Sequence, residues 1–152
     1  MPPSPIKAPM PTEIPEGFVP APINNPFSDL IGPVLYRPFE DGIHIGLRAE
    51  KRHLNPGGVV HGGLLMMLVD DLMGATVYTG LGNEPKATVS LNSDFLSAAR
   101  EDDWIEGVGE ITRRTQTLIF VRAQLQVGDR AVLSAQGVWK FVRHGHTPPE
   151  PA

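Results

Sequence analysis

The chain has 152 residues, 41% of them hydrophobic and 20% charged, with 16 prolines, no cysteine and a formal net charge of −4. That is one domain's length, enough to bury a core without staples. The missing cysteines exclude disulfides, thiolate nucleophiles and cysteine metal sites, and fit a reducing compartment. A mildly acidic chain without a lysine or arginine run offers no field to draw nucleic acid.

Ten of the sixteen prolines fall within the first 33 residues. This clustering, with few aromatics, cannot bury enough surface to offset ordering entropy, so residues 1–23 are expected to form a flexible tail. Residues 144–152, HGHTPPEPA, are expected to form a second one, leaving a single domain over 24–143. The N-terminal stretch has no charged region followed by an apolar run, so no signal peptide is expected, and the chain is expected in the cytoplasm.

Residues 25–32 predict a short helix or turn capped by Ser28 or Asp29. From Val34 the pattern is extended. VLYRPFE and IHIGLRAE form a predicted hairpin around an Asp41-Gly42 turn, with Ile43, Ile45 and Leu47 on one face. HLNPGGVV, 53–60, is dense in proline and glycine and reads as loop. Residues 62–81 lack two-residue alternation and are rich in Leu, Met and Ala, which predicts a helix. It is apolar almost all round, so it is expected to be buried on most sides, with Gly80 and Gly82 as stops.

Strands are then predicted over 87–96, 104–114, 117–127 and 130–142, the last two joined at Gly128-Asp129. Two strands, one long helix and four strands predict an α+β fold, an antiparallel sheet wrapped around one central helix. Residues 59–81 are nearly long enough to span a bilayer. Two aspartates at the centre would each cost about 2.5–3.5 kcal/mol there, so no membrane partner is expected.

Those aspartates, Asp70 and Asp71, follow six consecutive large apolar residues, Leu64 to Val69. An ionised carboxylate in such surroundings must be paired, shifted in pKa or exposed. A raised pKa would suit a general base or a nucleophile. Eight residues upstream of Asp70, His61-Gly62-Gly63 stands where loop becomes helix. A helix start presents unpaired N–H groups and a positive dipole end, suited to a developing oxyanion, and Gly62 and Gly63 allow close approach.

Eight residues at ~1.5 Å rise separate Gly62 from Asp70 by about 12 Å. A base and an oxyanion donor must both reach one carbonyl within roughly 3–3.5 Å. One chain cannot supply both. If they share a reaction centre, Gly62 comes from one subunit and the carboxylate from its two-fold partner, so a homodimer or homotetramer is expected.

The arrangement Asn55-x5-His61-Gly62-Gly63-x6-Asp70 resembles the motif of hotdog-fold acyl-CoA thioesterases, in the branch of the phenylacetate-pathway thioesterase and thioesterase superfamily member 2. The resemblance covers roughly residues 27 to 142 and implies a hotdog fold and hydrolysis of acyl-CoA to free acid and CoA, with no metal and no cofactor. By resemblance Asp70 is the base or nucleophile, the Gly62 N–H polarises the thioester carbonyl, Asn55 positions water or the carbonyl, and His61 orders the loop. Thr88 stands where relatives hold the attacking water with Ser or Thr. Spacing from His61 favours Asp70 over Asp71, a second acid that relatives do not need.

Several readings compete residue by residue. The acids could meet water at the helix surface, the glycines could be a tight turn, Asn55 before Pro56 is a natural turn residue, and Thr88 is a good strand residue in any case. Arg113, Arg114 and Thr115 at a strand end could grip the phosphates of coenzyme A or line a solvated turn. Met66, Met67 and Met73 read as core before they read as an acyl tunnel. Gly107-Val108-Gly109 lacks the third glycine of a nucleotide loop, and there is no G-x-S-x-G elbow or P-loop. A non-catalytic acyl-CoA-binding module and a hydratase or dehydratase of the same fold are the rival functions.

Overall fold

The computed structural model describes residues 11, 13–21, 23–40, 42–82 and 84–142. In chain order its elements are β1 (Val19–Pro20), α1 (Pro26–Ile31), β2 (Leu35–Phe39), β3 (Gly42–Arg48), α2 (Gly62–Leu81), β4 (Lys86–Phe95), β5 (Trp104–Arg114), β6 (Leu118–Val127) and β7 (Arg130–Phe141). The strands form one antiparallel sheet in the order β1-β2-β3-β5-β6-β7-β4. The helix α2 packs across β3, β5 and β6 at its middle. This is the central-helix architecture expected from the order of elements.

Leu65, Leu68, Val69, Leu72, Met73, Thr76 and Val77 form the stripe of α2 that faces the sheet, recurring at three- and four-residue steps. The opposite side, carrying Met66, Asp70, Gly74 and Tyr78, is only half-buried or exposed. Burial on most sides, expected from an all-round apolar composition, is therefore corrected: within one chain the sheet covers one stripe. Close packing along that stripe uses two glycines of β5. A Cβ on Gly107 would lie 2.9 Å from Leu72 Cδ2, and one on Gly109 would lie 2.6 Å from Thr76 Oγ1. The Gly107-Val108-Gly109 sequence thus serves helix-on-sheet approach. Gly82 ends the helix at φ 77°, donating its N–H to the Tyr78 carbonyl.

Three features differ from the expectation. The sheet has a seventh strand, β1, within the stretch expected to be a tail: Val19 pairs with Tyr36 and Pro20 with Leu35. Phe18, 6% exposed, stacks edge-on against Trp104 beneath the Arg37 guanidinium. Those contacts supply the burial that local composition does not. The cap of α1 is Asn25, whose side chain accepts from the Ser28 N–H, in place of Ser28 or Asp29. In the first hairpin Gly42 already pairs with Phe39, so Gly42 belongs to β3 and not to the turn. Asp41 itself lies outside the described residues, as does the expected tail 144–152.

Candidate active site

The loop ahead of α2 is organised by Asn55 and His53. Asn55 Oδ1 accepts from the N–H groups of Gly57 at 2.9 Å and Val59 at 3.4 Å, and the Asn55 N–H donates to the Val59 carbonyl. The asparagine therefore closes a turn on itself. His53, a loop residue that no motif marks, is 5% exposed. Its Nδ1 accepts from the Glu50 N–H at 3.0 Å, so its Nε2 carries the proton and donates to the Ile31 carbonyl at 2.8 Å. Burial holds its pKa below the ordinary value. Nothing in the spacing of a single histidine marks it, because the acceptor of its Nε2 proton lies on α1.

The His53 carbonyl accepts the His61 N–H at 2.8 Å, which fixes the start of α2. His61 is the N-cap: its Nδ1 accepts from the Gly63 N–H at 2.8 Å, and its carbonyl accepts from Leu64 at 3.0 Å. With Gly63 and Leu64 engaged, the Gly62 N–H has no acceptor among the described residues. The ring of Phe95 covers Gly62, and a Cβ there would come within 3.2 Å of it. An unpaired N–H at the positive end of a 20-residue helix can receive a negatively charged oxygen.

Asp70 sits half-buried on the outer face of α2, and its Oδ1 accepts from Thr88 Oγ1 at 3.1 Å. Thr88 lies where the register of β4 against β7 slips by one residue, between Thr88 and Ser90. A bulge of this kind redirects the side chains beside it. The sequence contains Thr88, but the bulge arises from the pairing with Trp139 and Val138.

Asp71 has other partners. Its Oδ2 accepts from the Ser28 hydroxyl and, at 3.5 Å, from Asn25 Nδ2, which ties α2 to the first turn of α1. The upward pKa shift expected of an acid in this helix falls here: burial raises Asp71, the neighbouring Asp70 charge adds to it, and the Ser28 and Asn25 hydrogen bonds oppose it. Burial and then the charge of Asp71 hold the Tyr36 phenol far above its ordinary value. The second acid, unexplained by the motif, fastens two helices together.

Arg113, Arg114 and Thr115 lie elsewhere. Gly80 meets Ile111 near the C-terminal end of α2, and eighteen residues at ~1.5 Å put that end about 27 Å from Gly62. Both arginines are exposed, with the Arg114 guanidinium 5.2 Å from the centre of the Phe141 ring. Thr115 Oγ1 accepts from the Leu118 N–H at 2.9 Å and closes the turn into β6. No described group of three His, Asp or Glu side chains lies close enough to hold a metal.

The thioesterase superfamily pattern matches residues 57–134, which contain Gly62, Asp70 and Thr88. The chain is 38% identical over 128 residues to a Pseudomonas aeruginosa protein that carries an esterase name, covering 83% of this chain and 96% of that one. It is 29% identical over 91 residues to acyl-coenzyme A thioesterase 13 of Mus musculus, covering 60% of this chain and 65% of the mouse protein. Its fold is similar to that of a Bacillus halodurans protein solved with CoA, at a TM-score of 0.73 and 21% identity, covering 81% of this chain and 82% of that one. With its seven-stranded antiparallel sheet around one long helix, the chain has the hotdog fold, and it belongs to the thioesterase superfamily of thioester hydrolases.

Proposed function

We propose that the protein hydrolyses an acyl-CoA thioester to the free acid and CoA, using Asp70 of one subunit and the Gly62 N–H of a two-fold partner. The observation that carries this reading is the pairing of a carboxylate held by Thr88 with an unclaimed N–H at the tip of the same helix, about 12 Å away. In the reaction Asp70 takes a proton from a water that attacks the carbonyl carbon, or attacks that carbon itself to form a mixed anhydride that water then hydrolyses to the free acid. The Gly62 N–H stabilises the oxyanion, and the C–S bond breaks to release CoA thiolate. His61 and Asn55 hold the loop that presents this N–H. The CoA in the Bacillus halodurans structure and the name of the mouse relative support CoA as the carrier.

Two features favour a second copy beside this one. The outer face of α2 around Asp70 is uncovered, and β4, ten residues long, is an edge of the sheet with Val89 and Phe95 exposed. A long edge strand with apolar side chains is a template for pairing.

A thiol-release assay over a panel of acyl-CoAs, run on wild type and Asp70→Asn, tests the reading. Turnover in wild type that falls about 10²–10⁴-fold in the variant supports it. Turnover unchanged in the variant moves the chemistry to another acid. Tight binding without turnover in wild type makes the chain a binding module.

A further inference from the structure

His53 joins three parts of the chain that meet at the start of α2. Among the described residues the buried polar side chains are Ser28, Thr76 and His53, and of these only the imidazole changes charge between about pH 5 and pH 8. Its Nδ1 accepts the Glu50 N–H, its Nε2–H donates to the Ile31 carbonyl at the end of α1, and its own carbonyl accepts the His61 N–H at the tip of α2. We propose that His53 is a positioning residue for the reaction: as a neutral ring it holds the Gly62 N–H in place, and a proton on Nδ1 releases the helix tip and lowers turnover; this rests on the acyl-CoA reading above.

Two backbone groups leave the ring one allowed form. The Glu50 N–H can only donate and the Ile31 carbonyl can only accept, so both bonds need the tautomer with its proton on Nε2. A second proton sets an N–H of the ring against the Glu50 N–H across 3.0 Å and puts a charge where the residue is 5% exposed. The ring cannot turn away without leaving the Ile31 carbonyl. Residues 50–53 cannot shift without drawing the His53 carbonyl from the His61 N–H. His61 is the cap whose Nδ1 takes the Gly63 N–H, so the aim of the unclaimed Gly62 N–H follows the position of His61. Through α1 the effect also reaches the acids, because Ser28 on that helix holds Asp71, the neighbour of Asp70. Burial opposes the charged ring most strongly; the Ile31 carbonyl on α1 favours it, the Arg52 guanidinium opposes it and the Glu50 carboxylate favours it. From α2 the titratable neighbour is His61, joined through its backbone N–H.

The test is kcat and KM for thiol release between about pH 5 and pH 8 on wild type, His53→Leu and His53→Gln, with the His53 ring of wild type followed by nitrogen NMR over the same range. Leu fills space without either hydrogen bond, whereas Gln offers an acceptor and a donor and does not ionise. His53→Leu should lower kcat roughly 10- to 100-fold with a smaller change in KM, as a displaced oxyanion donor would, and His53→Gln should recover most of that loss. In wild type the ring should be the Nε2–H tautomer at neutral pH, and kcat should step down at the ring's own midpoint, below 6.5. That step should be absent from His53→Gln. Wild-type kcat in His53→Leu, the same step in His53→Gln as in wild type, or an Nδ1–H tautomer overturns the role of His53 while leaving the hydrolase reading intact. If neither variant folds, the wild-type comparison alone decides: no step in kcat at the ring's midpoint overturns the role, and coincidence of the two supports it. Absence of thiol release from every acyl-CoA overturns both readings.

Discussion

The Thr88 hydroxyl donates to Asp70 Oδ1 at 3.1 Å and so joins a bulge in the edge strand to the middle of the central helix. The bond restricts the carboxylate to one orientation on a face of α2 that the sheet does not cover. Thr88→Val keeps the β-branched shape and removes the donor. It should lower kcat about tenfold, the equivalent of one hydrogen bond to a charged acceptor, with little change in KM. Thr88→Ser should restore most of the loss. An equal loss in Thr88→Ser would mean that the methyl group, and not the hydroxyl, matters.

The burial of Asp71 against α1 predicts a pH signature of stability. The folded state raises the Asp71 pKa above 3.8, so it binds that proton more tightly than the unfolded chain does. Stability from this group is full below the unfolded value and is lost as pH rises through the folded one. Asp71→Asn keeps an acceptor for Ser28 and Asn25 and cannot ionise. Its Tm relative to wild type should therefore rise as pH is taken from the ordinary carboxylate range towards neutrality. Parallel Tm curves for the two proteins would contradict the buried, raised acid.

Removing the donor in place of the acceptor isolates the tie between the helices. Ser28→Ala leaves Asp71 with only the 3.5 Å bond to Asn25 and should cost about 1–2 kcal/mol at pH 7, read from urea midpoints at unchanged slope. An unchanged midpoint would mean that α1 is held by its loop contacts alone.

The contact between Gly107 and Leu72 predicts an intolerant position far from the chemistry. A Cβ there would meet the Gln124 carbonyl oxygen at 2.6 Å and Leu72 at 2.9 Å, and backbone cannot step aside as a flexible side chain can. Gly107→Ala should destabilise by about 1–3 kcal/mol, measured by chemical denaturation. A neutral result would mean that α2 stands further from the sheet than described.

Much of this architecture is readable from residue types because local and tertiary preferences agree. The helix over 62–81 and the strands over 117–127 and 130–142 needed no distant partner to be recognised. Phe18, His53 and the Val89 bulge were not legible, since each depends on groups far along the chain: Trp104 and Arg37, the Ile31 carbonyl, and the register with β7. The two acids show where sequence reasoning stops. Adjacent helical residues project about 100° apart, so one of the pair had to face differently, but only the position of α1 shows that Asp71 turns to Ser28 while Asp70 turns to Thr88. The low hydropathy contrast around α2 likewise signalled burial without saying which surface would cover the outer face.

The division of the reaction centre between two subunits is tested most directly by mixing two inactive variants. Asp70→Asn removes the acid, and Gly62→Pro removes the N–H at the first helical position, where proline is tolerated. Each alone should be nearly inactive. Unfolded and refolded together in equal amounts, they should recover about a quarter of wild-type thiol release, because half of the dimers are mixed and each mixed dimer regains one of its two centres. Activity in the mixture no higher than in the separate variants would contradict a centre shared across the two-fold axis.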